Sequence, residues 1–245
     1  MMETDREVRR LGVIGDVHAE DGRLGSALSR LVELGVDRIL CTGDLVDGEG
    51  CPDRCVQLLK QYEVATVRGN HDRWILEEKA RHIPNAHTKA CVSQETLDYL
   101  SALPVEVFVR TISGNLLLCH GIARNDLRKV WPGTERMGIE RSKELDQLIS
   151  EGRYRFLING HMHFKTMMHF HTLTLINAGT IRGQHWPGFM VIDFETQQIQ
   201  AYELSEHEIV EGKLTSLEPA DEDQRWTDTG CFSGDWQPNL LFNRH

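Results

Sequence analysis

Nothing in these 245 residues approaches the unbroken apolar run of about 20 that a membrane-crossing helix needs. The first six residues, Met-Met-Glu-Thr-Asp-Arg, lack the apolar core of a secretory leader. Positive charge is also in short supply: Lys and Arg number 27 against 37 Asp and Glu, a formal net charge of −10. That balance excludes a general surface for extended nucleic acid or anionic membrane, although a small anion held at one positive point is compatible with it. The six cysteines form no paired set. Cys51 and Cys55 lie four apart, but no second Cys/His pair follows at zinc spacing, so they read as thiols at a helix start. Cys41 and Cys119 sit in apolar runs and read as small core residues. A cytoplasmic chain with reduced thiols is the expectation. Internal repeats and low-complexity linkers are absent too, so the expectation is one domain over 1–245.

What is present is a regular alternation. Residues 9–15, 38–42 and 64–68 read as short buried strands. Between them lie helical patterns, one with Leu24, Leu28, Leu31 and Leu34 on one face and Gly35 as its stop, another over 53–62. Strand, helix, strand, helix, strand predicts a parallel sheet. Residues 74–103 read as a helical insertion, with helix over 74–80 and again over 94–102, where Ser93 is the N-cap and Pro104 ends the run. This insertion is expected to wall or lid a cleft. Strands are expected at 105–109 and 115–119 around a turn at Gly114, then a helix over 141–151 and a strand over 154–158. Extended segments at 172–177, 189–194 and 199–204 complete an α/β fold of two layered sheets flanked by helices. Residues 205–245 are expected to pack irregularly on the surface.

Five short segments carry the chemistry: Gly15-Asp16-Val17-His18, Gly43-Asp44-Leu45-Val46-Asp47, Gly69-Asn70-His71-Asp72, Cys119-His120-Gly121 and Gly160-His161-Met162-His163. Each follows an apolar run and sets a hard oxygen or imidazole donor beside glycine. Residues two apart in an extended chain point the same way, so Asp16 with His18, and His161 with His163, can each clasp a cation. Oxygen and nitrogen donors without thiolate suit Mn²⁺, Fe, Ni²⁺ or Zn²⁺. Asp16 and Asp44 set two negative charges against the four of two dications, leaving about +2 to draw in a phosphate.

In that order, Gly-Asp-x-His, Gly-Asp-x-x-Asp, Gly-Asn-His-Asp, a lone His after a strand and Gly-His-x-His resemble the calcineurin-like metallophosphoesterase superfamily. The compact bacterial and archaeal phosphodiesterase branch is the nearest likeness, over about residues 10–204. The resemblance implies two divalent metal ions, with Mn²⁺ the first choice. One would be held by Asp16, His18, Asp44 and His163, the other by Asp44, Asn70, His120 and His161. It implies hydrolysis of a small phosphate ester by water activated between the metals. His71 would protonate the leaving oxygen, with Asp72 the catalytic partner expected to orient it. Arg73, Arg124 and His185 are the candidate substrate contacts. Asp47 reads equally as a turn carboxylate or as a contact to a ligand histidine. Trp74 and Trp131 read as packing or as base-stacking rings. His82, His87, His207 and His245 carry no site signal.

The chain departs from the protein Ser/Thr phosphatases of that superfamily. It has Ala19 where they carry Gly, Asp47-Gly48-Glu49 where they carry Arg-Gly, and Asp72 where they carry Glu. A phosphoprotein or dinucleoside polyphosphate phosphatase stays open as the alternative. So does a non-catalytic scaffold on the same fold, which would be recognised by a missing ligand, and here none is missing. Sequence alone leaves the oligomeric state open.

Overall fold

The computed structural model describes residues 7–205, 208–219 and 225–242. The N-terminal hexapeptide, His207 and His245 lie outside them. In chain order the elements are β1 (Arg10–Ile14), α1 (Asp21–Glu33), β2 (Arg38–Cys41), α2 (Pro52–Gln61), β3 (Ala65–Thr66), α3 (Asn70–Glu77), α4 (Gln94–Ala102), β4 (Glu106–Thr111), β5 (Gly114–Cys119), α5 (Lys143–Glu151), β6 (Phe156–Asn159), β7 (Lys165–His169), β8 (Thr174–Ala178), β9 (Gly188–Asp193), β10 (Gln198–Leu204), β11 (Ile209–Ser216) and β12 (Asn239–Leu240).

The strands form two six-stranded sheets, ordered β11-β10-β9-β1-β2-β3 and β12-β7-β8-β6-β5-β4. Strands β1, β2 and β3 run parallel, as the alternation predicts, and β9 closes antiparallel on β1. In the second sheet β5, β6 and β8 are parallel to one another.

Both faces of the central strands are buried, which is why they read as unbroken apolar runs rather than as alternations. Leu11 and Val13 of β1 meet Leu116 and Leu118 of β5, with Phe156, Ile158, Met190 and Ile192, in the layer between the sheets. Ile14 points the other way, to the leucines of α1 and to Val56 and Leu59 of α2. Leu117 and Cys119 likewise turn outward, against Leu145 and Ile149 of α5. The period of two that divides each strand between layers thus fixes its register: a slip by one residue would exchange the two faces. Gly12 is small for the same reason, since a Cβ there would press on the Leu31 side chain.

The α4 cap falls where the sequence predicts, whereas the helix expected from 141 opens at Lys143 behind a Ser142 cap. The Ser93 hydroxyl accepts from Thr96 N and opens α4, and Ser142 accepts from Leu145 N and opens α5. Gly35, just past α1, takes a left-handed φ of 66°.

Two expectations need correction. The helix expected at 74–80 begins at Asn70, so the motif residues Asn70 and His71 occupy its first turn rather than a loop. Residues 78–88 of the supposed insertion contain no helix, only the single 3-10 turn Lys89–Cys91 following them. The cause is a cap hidden in the motif: Asp72 reaches back to accept from Gly69 N at 3.0 Å and nucleates the helix there. The tail is not irregular throughout. Strand β11 pairs with β10, and β12 pairs with β7, so the tail extends both sheets. Among the described residues no helix is long and apolar enough to cross a membrane.

Candidate metal centre

The parallel strands send their C-terminal ends to one edge, and that edge collects the five segments. Asp16 and His18 follow β1, Asp44 and Asp47 follow β2, Asn70 and His71 open α3 after β3, His120 follows β5, and His161 and His163 follow β6. Gly69 and Gly160 make the approach possible. A Cβ on Gly69 would overlap the Asp44 carboxylate, and one on Gly160 would overlap Asp16 and sit 2.6 Å from Thr42 Oγ1.

One ligand atom from each of Asp16, His18, Asp44 and His163 lies within 4.8 Å of the others. His18 Nε2 is 3.0 Å from His163 Nε2, and His163 Nε2 is 3.3 Å from Asp16 Oδ2. The carboxylates are aimed by the neighbouring segments. Asp16 accepts from Thr42 Oγ1 at 2.7 Å and from His161 N at 2.7 Å. Asp44 Oδ1 accepts from His71 N at 2.9 Å, leaving Oδ2 for the cleft.

A second cluster shares Asp44. His120 Nδ1 donates to Thr42 O at 2.8 Å, which fixes the tautomer and leaves the Nε2 lone pair facing inward. That lone pair meets Asn70 Oδ1 at 2.9 Å and Asp44 Oδ2 at 3.3 Å. All three are acceptors, so a positive charge must sit among them. Burial works against charge on His120, but Asp44 and Asp16 outweigh it and push its pKa up to about 10, the mark of a strongly negative pocket that favours a cation. His161 packs its ring 5.3 Å from that of His120. Burial pushes both His18 and His161 down to about 4, which keeps them in the neutral form a cation needs. Burial would raise Asp44, but His120 and the other imidazoles around it hold it well below the usual carboxylate range. The donor set therefore fits divalent cations.

Backbone strain marks the same place. His18, Asp44, Asp47, His161 and His163 all hold left-handed φ, between 47° and 67°. Each such non-glycine residue costs on the order of 1–3 kcal/mol and persists only where its surroundings over-determine it.

His71 lies beside the clusters, its ring edge-on to His18 at 4.9 Å. Its orienting partner is Asp47, not Asp72. Asp47 Oδ2 lies 2.7 Å from His71 Nδ1. The Asp72 carboxylate is buried and already taken, accepting from Leu45 N at 2.7 Å and Gly69 N at 3.0 Å, with burial and the nearby Asp44 pushing it up to about 7. Asp47 is itself gripped by Arg81 through both guanidinium nitrogens, at 2.8 and 2.9 Å, and by His87 N at 2.9 Å. Burial lowers His71, but the Asp47 hydrogen bond and the Asp44 charge outweigh it and leave His71 raised.

The candidate substrate contacts divide. His185 sits with its ring 5.3 Å from His163, at the centre. Arg73 is committed elsewhere, to both oxygens of Asp126 at 2.7 and 3.0 Å and to Glu77, so it does not serve as a free phosphate grip. Arg124 is exposed. Trp74 packs on His71 at 4.8 Å, and Trp131 is buried against Trp236. Sequence reasoning missed Arg81 and dismissed His87, because neither stands in a motif. Only the pairing of Asp47 across a 34-residue gap brings Arg81 in.

The profile of the calcineurin-like phosphoesterase superfamily domain matches residues 10–197. An uncharacterised protein of Methanocaldococcus jannaschii is 29% identical over 102 residues, which are 39% of this chain and 42% of that protein. The alignment thus spans less than half the length of that relative. Two solved structures share the fold. A metallophosphoesterase from Sphaerobacter thermophilus superposes with a TM-score of 0.59 at 21% identity, over 81% of this chain and 89% of that one. A novel archaeal phosphodiesterase gives 0.52 at 17% identity, over 80% and 99%.

Proposed function

The chain belongs to the calcineurin-like phosphoesterase superfamily, and on that premise we propose that it hydrolyses small phosphate esters with two divalent cations sharing Asp44. The observation that carries the reading is that the Asp16, His18, Asp44 and His163 group meets His120 and Asn70 at that one carboxylate. One cation would be held by Asp16, His18, Asp44 and His163, the other by Asp44, Asn70, His120 and His161. Mn²⁺ is the first metal to test, with Fe, Ni²⁺ and Zn²⁺ compatible with the same donors. Bound there, the cations would supply charge neutralisation for the phosphate and acidify water for the hydrolysis.

The chain's own residues do the rest. Asn70 offers a neutral oxygen, so the site keeps a net positive charge for the ester. His71 presents Nε2 to the leaving oxygen because Asp47 holds Nδ1. The raised pKa keeps its proton available for the departing alkoxide. The partner implied is a small phosphate ester, a diester or a monoester.

The test is hydrolysis of bis(p-nitrophenyl) phosphate by the Mn²⁺-loaded protein. His71→Ala is expected to lower the rate by roughly 10²–10⁴ as loss of the general acid, and Asn70→Ala to lower it by loosening one cation. Equal, background-level rates for wild type and both variants would defeat the proposal.

A further inference from the structure

We infer that Trp186 is a stacking platform for the planar ring of a nucleotide-type phosphate ester, in a cleft beside the metal centre. The inference rests on the phosphoesterase reading and adds the chemistry of the group that the ester carries.

The cleft has a volume of about 760 Å³, and Trp131, Phe164, Trp186, Trp236 and Phe242 are among its walls. That volume is in the range of small-molecule sites. It adjoins the proposed ligands through the chain itself: Phe164 follows His163, and Trp186 follows His185, whose ring lies against His163. The ring pair Phe164–Trp186, centroids 6.2 Å apart, thus stands one residue along the chain from the ring pair His163–His185, and the cleft opens next to the proposed centre rather than containing its ligands.

Much of the Trp186 side chain is left uncovered by the fold. It is 52% exposed, so much of its apolar surface stays in water. It also holds a left-handed φ of 47°, an outlier for a bulky aromatic residue. Both are held in place. Lys165, 1% exposed, donates from Nζ to Trp186 O at 2.9 Å. Phe242 stacks on the indole, centroids 5.3 Å apart and planes 25° from parallel. Phe242 is placed in turn by the tail, where β12 pairs with β7 and Leu241 N donates to Lys165 O at 2.8 Å. A ring half exposed, held by Phe242 and, at 6.2 Å, by Phe164, and strained in its backbone is preorganised for a ligand. Flat, rigid and electron-rich, it suits a nucleobase.

Isothermal calorimetry on the Mn²⁺-loaded protein tests this, with AMP and ribose 5-phosphate as probes, each in its non-hydrolysable form with CH₂ in place of the ester oxygen. They share phosphate and sugar, and only AMP carries a base. Stacking on one aromatic side chain is worth a factor of roughly 5–150, so AMP is expected to bind about tenfold or more tighter. Trp186→Ala should bring the two dissociation constants together, and Trp186→Phe should restore most of the difference. Equal affinities in the wild type, or a difference that survives Trp186→Ala, would overturn the inference. So would loss of a dimer in Trp186→Ala with no change in the AMP preference, which would assign the ring to a contact between copies. None of these readouts depends on turnover, so a failure here is distinguishable from a failure to hydrolyse bis(p-nitrophenyl) phosphate.

Discussion

Asp47 Oδ2 stands 2.7 Å from His71 Nδ1, and the same carboxylate is held by Arg81. The geometry makes Asp47 the residue that aims the proposed general acid. A histidine raised by a carboxylate holds its proton at low pH and loses it as pH climbs through the folded value. Asp47→Asn removes the hydrogen-bonded charge that does most to raise it. The alkaline limb of kcat/KM is therefore expected to move to lower pH, with kcat lower by roughly 10–100-fold. An unmoved limb would assign Asp47 to the fold alone.

Arg81 should act one step further out. It neutralises a carboxylate that is 1% exposed, and breaking a buried pair leaves the remaining charge uncompensated at about 3–5 kcal/mol. Arg81→Ala is expected to lower Tm by about 6–20 °C and, by leaving the Asp47 charge uncompensated beside His71, to move the alkaline limb to higher pH, opposite to Asp47→Asn, while the metal content holds. Calorimetric melts beside a pH profile check both halves.

Gly69 is the cleanest probe of close approach. Its φ of −85° suits any residue, so the backbone raises no objection to alanine. The added methyl would instead run into the Asp44 carboxylate. Gly69→Ala is expected to leave the far-UV spectrum intact while weakening Mn²⁺ binding roughly 10–100-fold, the usual cost of disturbing a ligand's support.

In the layer between the sheets, Phe156 is 1% exposed and packs its ring 5.2 Å from Phe194. Phe156→Ala should cost about 3–5 kcal/mol. Val32→Ala, at a side chain 58% exposed, should cost about 0.5 kcal/mol or less. Urea titrations of the two variants give the comparison.

The parts legible in the sequence were those that depend on local pattern. Leu24, Leu28 and Leu31 announce α1 by spacing, Ser93 announces the cap of α4, and each motif segment follows a strand that its own hydrophobicity reveals. The misreadings came from contacts that no local pattern encodes. Asp72 looks like a partner for His71 because it is adjacent, yet adjacent residues on a helix do not face each other, and its carboxylate turns back to Gly69 N. Arg73 reads as free until Asp126, 53 positions on, is found beside it. Strand β12 has two residues and exists only because β7 offers an edge to pair with.

The central claim is that Asp44 is shared between two cations, and metal stoichiometry tests it most directly. After reconstitution with Mn²⁺ and removal of excess, elemental analysis should find about two ions per chain in the wild type. His18→Ala and Asn70→Ala, each touching one cluster, should retain about one, and Asp44→Ala should retain about none. A wild type that binds two ions and keeps both in Asp44→Ala would contradict the account, as would a wild type that binds none.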